Sequence, residues 1–199
     1  AASPAALAFT AANWNVPQTV TVIGIDDAVA DGDVAYSVVL DAAMSVDPNY
    51  SDMDAADVAV TNADDDAAGI TVTPVAGLGT TEAGGTASFT VVLASEPVAD
   101  VVIPVASDDL TEGGVSTASL TFTPADWNSP QTVTVTGVDD NIVDATQTST
   151  ITLSIDDANS NDGFDSLSDQ TVSVTTADND SADFSVTDAS ATEGSSVTF

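Results

Sequence analysis

Apolar and polar residues alternate along much of this chain with a period of two. Thr86–Leu93 sets Ala87, Phe89, Val91 and Leu93 on one face, and Gln131–Thr136 turns Val133 and Val135 inward and its threonines outward. Similar runs lie at Ile70–Thr73, Val101–Val105, Leu120–Thr123, Thr150–Ile155 and Thr171–Thr175. A side-chain period of two, rich in β-branched residues, is the pattern of a strand with one buried face. The Gly, Pro, Asp and Ser between the runs are turn formers. No stretch carries the 3.6-residue apolar period of an amphipathic helix, and the Ala-rich segments are short and broken by Pro or Asp. The pattern predicts an all-β chain built on an antiparallel seven-strand β-sandwich.

The pattern also repeats. Leu7–Asp27 and Leu120–Asp140 share 15 of 21 residues without a gap, so Trp14 recurs as Trp127 and Asp26-Asp27 as Asp139-Asp140. Asp64-Asp65-Asp66 recurs as Asp178-Asn179-Asp180, and Thr81-Glu82 as Thr192-Glu193. A period of about 113 residues marks a tandem array. Residues 70–180 read as one complete repeat, 1–69 as the back part of an earlier one, and 181–199 as the start of a later one. Both ends cut through a repeat, the expectation for a window on a longer chain.

Charge sharpens the picture. The chain has 32 acidic residues and no Lys, Arg or His. Only Glu82, Glu96, Glu112 and Glu193 are Glu; the remaining acids are Asp. Such charge in a polar sequence would mean disorder, but 43% of the residues are apolar and they alternate, so the chain should fold. Two carboxylates about 4 Å apart repel by roughly 4 kcal/mol at an effective dielectric near 20, so clustered acids call for bound cations or high salt. Nucleic acid is excluded as a partner because no side chain can neutralise a phosphate. Anionic membrane surfaces are disfavoured for the same reason, and no apolar run reaches the roughly 18 residues of a membrane span. The absence of Cys fits an extracellular array without disulfides, and a cytosolic protein equally.

Strand ends gather at the two poles of a sandwich. Asp139, Asp140 and Asp144 follow one strand, Asp178 and Asp180 another, Glu82 precedes a strand, and Asp108-Asp109 ends one. Strand counting allows these loops to meet at one pole. Six or more converging carboxylates without a cationic side chain suit Ca²⁺, which takes six to eight oxygens at about 2.3–2.6 Å in flexible geometry. Mg²⁺ demands tighter geometry, and softer metals want His or Cys.

These residues resemble the Calx-beta domain family. The shared features are Thr81-Glu82-Ala-Gly-Gly before a strand, Phe122-Thr-Pro before the Trp127 turn, Val138-Asp139-Asp140 with Asp144, and a closing Asp178-Asn179-Asp180. Asp64-Asp65-Asp66-Ala-Ala-Gly-Ile70 resembles that family's junction between domains. The resemblance implies a seven-strand sandwich that binds several Ca²⁺ at one end, beside the next domain. The implied ligands in the complete repeat are Glu82, Asp109, Asp139, Asp140, Asp144, Asp178 and Asp180. In the earlier repeat they are Asp26, Asp27, Asp31, Asp64, Asp65 and Asp66, and Glu193 opens the later set. Asn179 stands where the family has a central acid and would give only a neutral oxygen. Gln147 stands where another Glu can occur. The loop around Asp108 and Asp109 matches loosely.

Other motifs change little. Trp14 and Trp127, each beside a Pro turn, read as plugs closing a sandwich, with a carbohydrate platform as the alternative. Asp157–Gly163 imitates an EF-hand loop, but its Gly is one place late and Ser168 occupies the place of the bidentate Glu. Asn49-Tyr-Ser51 and Asn179-Asp-Ser181 fit a glycosylation pattern common by chance. Without His, Cys, Lys or Arg there is no usual general base near neutral pH, no thiolate and no anion clamp, so the chain reads as a non-enzyme. The expected function is a calcium-stiffened structural repeat of a large extracellular fibre or adhesin. Its expected partners are neighbouring repeats of the same chain, with self-assembly into fibres open. Two alternatives remain: an adhesin module binding a glycan or cell surface, and a halophilic spacer without discrete metal sites.

Overall fold

The computed structural model describes residues 2–186, 190 and 192–196. All regular elements among them are strands: β1 Ala2–Ser3, β2 Thr21–Val22, β3 Val34–Val38, β4 Val58–Asn62, β5 Ile70–Thr73, β6 Leu78–Thr81, β7 Thr86–Leu93, β8 Val101–Ser107, β9 Gly113–Val115, β10 Ser119–Phe122, β11 Gln131–Gly137, β12 Gln147–Leu153 and β13 Gln170–Ala177. Residues from β5 to β13 close a sandwich. One sheet has the order β10-β8-β12-β13-β6 and the other β5-β7-β11-β9.

Each of the seven expected strands is present. β6 and β9 are additional, and they change the topology. Pro74 lacks an N–H and ends β5; Gly77, at φ 78°, lets the chain cross to the other sheet. There β6 pairs parallel to β13, the one departure from the antiparallel expectation within the sandwich. β9 is Gly-Gly-Val, a weak strand former, and exists because it pairs with the end of β11.

The alternating residues meet between the sheets. Phe89, Val91 and Leu93 of β7 and Val133 and Val135 of β11 face Ile103 of β8, Ile151 and Leu153 of β12 and Val172 and Val174 of β13, all buried. Full burial of one such side chain stabilises by about 1.5–3 kcal/mol. Trp127 packs on the edge of this core, as expected of a plug. Trp14 does not; it is 69% exposed, because residues 2–62 form only the two-stranded ladders β1-β2 and β3-β4 and offer it no facing sheet.

Along the inward rows the chemistry changes toward one end. From β6 the row runs Leu78, Thr80 and, just past the strand's end, Glu82, and in β13 Val172, Val174 and Thr176. Ser149 continues the row of Ile151 and Leu153 in β12. The core therefore grades from hydrocarbon to oxygen atoms as it approaches the pole where β6, β8, β11 and β13 end.

Candidate metal centre

Hydrogen bonds tie the ends of β6, β11 and β13 to one another and to the loop that follows β8. Glu82 N–H donates to the Ala177 carbonyl (3.1 Å), Val138 N–H to the Glu112 carbonyl (3.0 Å), and the buried Thr176 hydroxyl also to the Glu112 carbonyl (3.2 Å). Gly137 lies against the Thr81 carbonyl so closely that a β-carbon there would collide with it. The Thr81–Gly85 motif is a turn in which Gly84 and Gly85 N–H both donate to the Thr81 carbonyl, with Gly84 at φ 82°. That turn aims Glu82 inward.

Oxygen atoms of Glu82, Asp178 and Asp180 lie within 4.8 Å of one another. Glu82 is only 2% exposed, and one of its oxygens accepts the Asn179 N–H (3.1 Å). That bond lowers its pKa, but desolvation and the charges of Asp178, Asp140 and Asp144 together raise it above the usual Glu value. Asp178 is held differently. Its Oδ2 accepts the N–H groups of Asp144 (3.0 Å) and Ala145 (2.9 Å), and its Oδ1 that of Asp180 (2.6 Å). The Asp180 and Ala145 N–H groups lead in lowering its pKa. Desolvation, with the Asp178 charge next, raises that of Asp180.

Glu112 belongs to the same pole and is absent from the ligands read from the sequence. It is 6% exposed, and its Oε2 has no hydrogen-bond partner. Desolvation first, then the charges of Asp144, Asp109, Glu82 and Asp140, raise its pKa. Two more buried oxygens here, Asp144 Oδ1 and Asp180 Oδ2, are also unpartnered. Thr111-Glu112-Gly113-Gly114 echoes Thr81-Glu82-Ala83-Gly84-Gly85, a sequence signal that singles out Glu112.

Of the remaining expected ligands, Asp140 accepts the Ile142 N–H (2.6 Å). Asp109 Oδ1 accepts the Thr111 N–H (2.9 Å) and hydroxyl, while Asp108 Oδ1 accepts the Thr150 N–H (2.7 Å) on the flank of β12. Asp139 is exposed and accepts the Asn179 side-chain N–H (2.9 Å), so the Asn179 amide presents a donor there and not the expected neutral oxygen. Gln147 donates to the Asp144 carbonyl (2.7 Å).

The earlier pole repeats this arrangement. Asp26, Asp27, Asp31, Asp64, Asp65 and Asp66 line one cavity of about 180 Å³. Asp64 accepts the Gly32 N–H (2.6 Å) and the Asp66 N–H (2.9 Å), as Asp178 accepts those of Ala145 and Asp180. Gly32 and Ala145 occupy equivalent places and both have positive φ, 81° and 66°. Asp27 caps Val29 N–H (3.0 Å) as Asp140 caps Ile142. Asp26, Asp65 and Asp66 carry oxygens within 4.8 Å of one another. Glu193 joins neither group among the described residues; it is exposed in a turn closed by Ser195 N–H to the Thr192 carbonyl (3.0 Å).

Comparison with protein-family models and with curated proteins gives no match. Among solved structures, the apo-form Calx CBD1 domain is 14% identical over 56% of this chain and 96% of its own, with a TM-score of 0.40. The calcium binding domain CBD12 of CALX1.1 is 14% identical over 55% of this chain and 44% of its own, with a TM-score of 0.40. Domains 1–6 of the surface layer protein SbsC are 21% identical over 61% and 15%, with a TM-score of 0.38. At these values the neighbours do not assign the chain to a family.

Proposed function

We propose that this chain is a calcium-binding structural array of a large extracellular fibre or adhesin, each sandwich carrying cations at its acidic pole. One observation carries the reading. Glu82 and Glu112 are buried at the same pole, three carboxylate oxygens there (Glu112 Oε2, Asp144 Oδ1 and Asp180 Oδ2) lack any hydrogen-bond partner, and the chain has no cationic side chain to answer them. A buried carboxylate is costly unless it is paired, protonated or bound to a metal. The donor set is all oxygen, mostly carboxylate, and irregularly spaced around loops, which favours Ca²⁺ over the octahedral Mg²⁺. Glu82, Glu112, Asp144 and Asp180 would hold the inner ion, with Asp109 and Asp140 beside it, and Asp178 would organise the loop behind.

The earlier pole adjoins the sandwich. Glu96 N–H donates to the Ala28 carbonyl (2.7 Å), and a cavity of about 420 Å³ lies between Val29–Asp31 and Ser95–Ala99 with Ser160–Phe164. A cation held by Asp26–Asp31 would therefore stiffen the joint. Ile142 and Val143, exposed beside the second pole, occupy the places of Val29 and Ala30. That equivalence supports a seat for a neighbouring repeat over a glycan platform.

Calcium titration of the full chain by isothermal calorimetry tests the reading. Wild type should bind several ions, and Glu112→Gln should weaken one class of sites by tenfold or more. No heat and no bound calcium at millimolar concentration would overturn it, since extracellular modules bind at about 10⁻⁴–10⁻³ M.

A further inference from the structure

The loop between β3 and β4 carries the chain's single Asp-Pro bond, Asp47-Pro48. The corresponding loop of the sandwich, between β12 and β13, has no Pro. The neck of the loop is closed: Ala43 N–H donates to the Met53 carbonyl and Asp52 N–H to the Ala43 carbonyl, both at 2.8 Å. At the tip Asp47 opens a turn. The Asp47 carbonyl oxygen, part of the peptide bond to Pro48, accepts the N–H groups of Tyr50 and Ser51, both at 3.0 Å. The Asp47 carboxylate is oriented as well. Its Oδ1 accepts the Asn49 main-chain N–H (2.9 Å) and side-chain N–H (2.8 Å), and no bond among the described residues holds its Oδ2. Asp47, Pro48 and Asn49 are exposed, so water reaches the bond.

We propose that Asp47-Pro48 is a self-cleavage site, cut by the Asp47 side chain. N–H donors about 2.7–3.1 Å from a carbonyl oxygen have the geometry that stabilises an oxyanion. The carboxylate hangs from the same residue, so its attack has the proximity of an intramolecular nucleophile. Oδ2 gives an electron pair to the Asp47 carbonyl carbon and forms a C–O bond, and the carbonyl oxygen takes the negative charge beside the Tyr50 and Ser51 N–H groups. Collapse breaks the C–N bond. The Pro48 nitrogen, which has no hydrogen of its own, leaves as a secondary amine with a proton from water. A second water opens the cyclic anhydride, which restores the side-chain carboxylate and leaves a new α-carboxylate at Asp47. The β3–β4 ladder bridges the break, so fragments 1–47 and 48–199 stay paired until denatured. None of these groups belongs to an acidic pole, so the cleavage stands or falls apart from calcium binding.

The full chain, held in neutral and in mildly acid buffer where circular dichroism shows it folded, is followed over days by denaturing mass spectrometry. Fragments 1–47 and 48–199 should accumulate in wild type and be absent from Asp47→Ala. Because Asp47 is exposed, that variant should keep the wild-type spectrum. In urea at the same pH the two donors are lost, and cleavage should slow by about a hundredfold, the effect of losing one such donor. In heavy-oxygen water the label should appear in the Asp47 side chain as well as in its new α-carboxylate, because water opens the anhydride at either carbon. No fragments from wild type, the same fragments from Asp47→Ala, equal or faster cleavage in urea, or label confined to the α-carboxylate would overturn the inference.

Discussion

Asp178 and Glu112 do opposite things with the same functional group. Asp178 accepts three backbone N–H bonds and stays a stable anion; Glu112 is buried with an oxygen that has no partner. Asp178→Ala should therefore act through loop order, lowering calcium affinity by about 10–100-fold as lost outer-shell partners do; a calorimetric titration checks it. The pKa shifts set a sign for acid stability. Glu82, Glu112, Asp66 and Asp180 are raised, so the metal-free folded chain holds protons that the unfolded chain has released. In chelator, stability should rise as the pH falls from neutral toward the ordinary values of 4.5 and 3.8. Below these, Asp64, Asp109, Asp126 and Asp178, all lowered, should reverse the trend as the pH falls through their folded values. With calcium, the upper limb should invert, because protons displace the ion. Urea melts at neutral pH and at about pH 5, with and without chelator, check the upper limb in both conditions. Glu82 was legible in the sequence because Thr81-Glu82-Ala-Gly-Gly stands directly before the alternating strand Thr86–Leu93. Glu112 was not, because its preceding loop is irregular and only the echo of Thr-Glu-Gly-Gly marks it.

At the scale of elements, the sandwich and its pole are separable. Phe89 is 1% exposed at the centre of the core, far along β7 from the acids. Phe89→Ala should cost about 3–5 kcal/mol whether or not calcium is present, measured by denaturant unfolding in each condition. Gly137 sits where β11 reaches the pole, against the Thr81 carbonyl. Gly137→Ala should instead lower calcium affinity and stability together, since it forces apart the loops carrying Glu82 and Asp139-Asp140. The seven alternating strands could be read directly from the chain because each buries one face. β6 and β9 could not: both are short, both contain Gly, and each is a strand only through its partner, β13 or β11. The repeat likewise implied equal roles for Trp14 and Trp127, but burial of a plug depends on a facing sheet, which only Trp127 has here.

For the whole molecule, a formal net charge of −32 opposes compaction, and both acidic poles concentrate that repulsion at loops and at the joint between them. Cations that bind only the folded chain stabilise it, by about 2.7 kcal/mol per site at a hundredfold excess over Kd. Small-angle scattering should show a longer, stiffer particle with calcium than in chelator, because the Asp26–Asp31 loop that would hold an ion also bonds Glu96 across the joint. The most direct measurement is thermal unfolding of the full chain in chelator, in millimolar CaCl₂ and in millimolar MgCl₂, all at one ionic strength. The expected result is a large rise in Tm with Ca²⁺ and little with Mg²⁺. Equal curves in Ca²⁺ and in the salt-matched control would contradict discrete calcium sites and leave an acidic β-sandwich spacer that responds to salt alone.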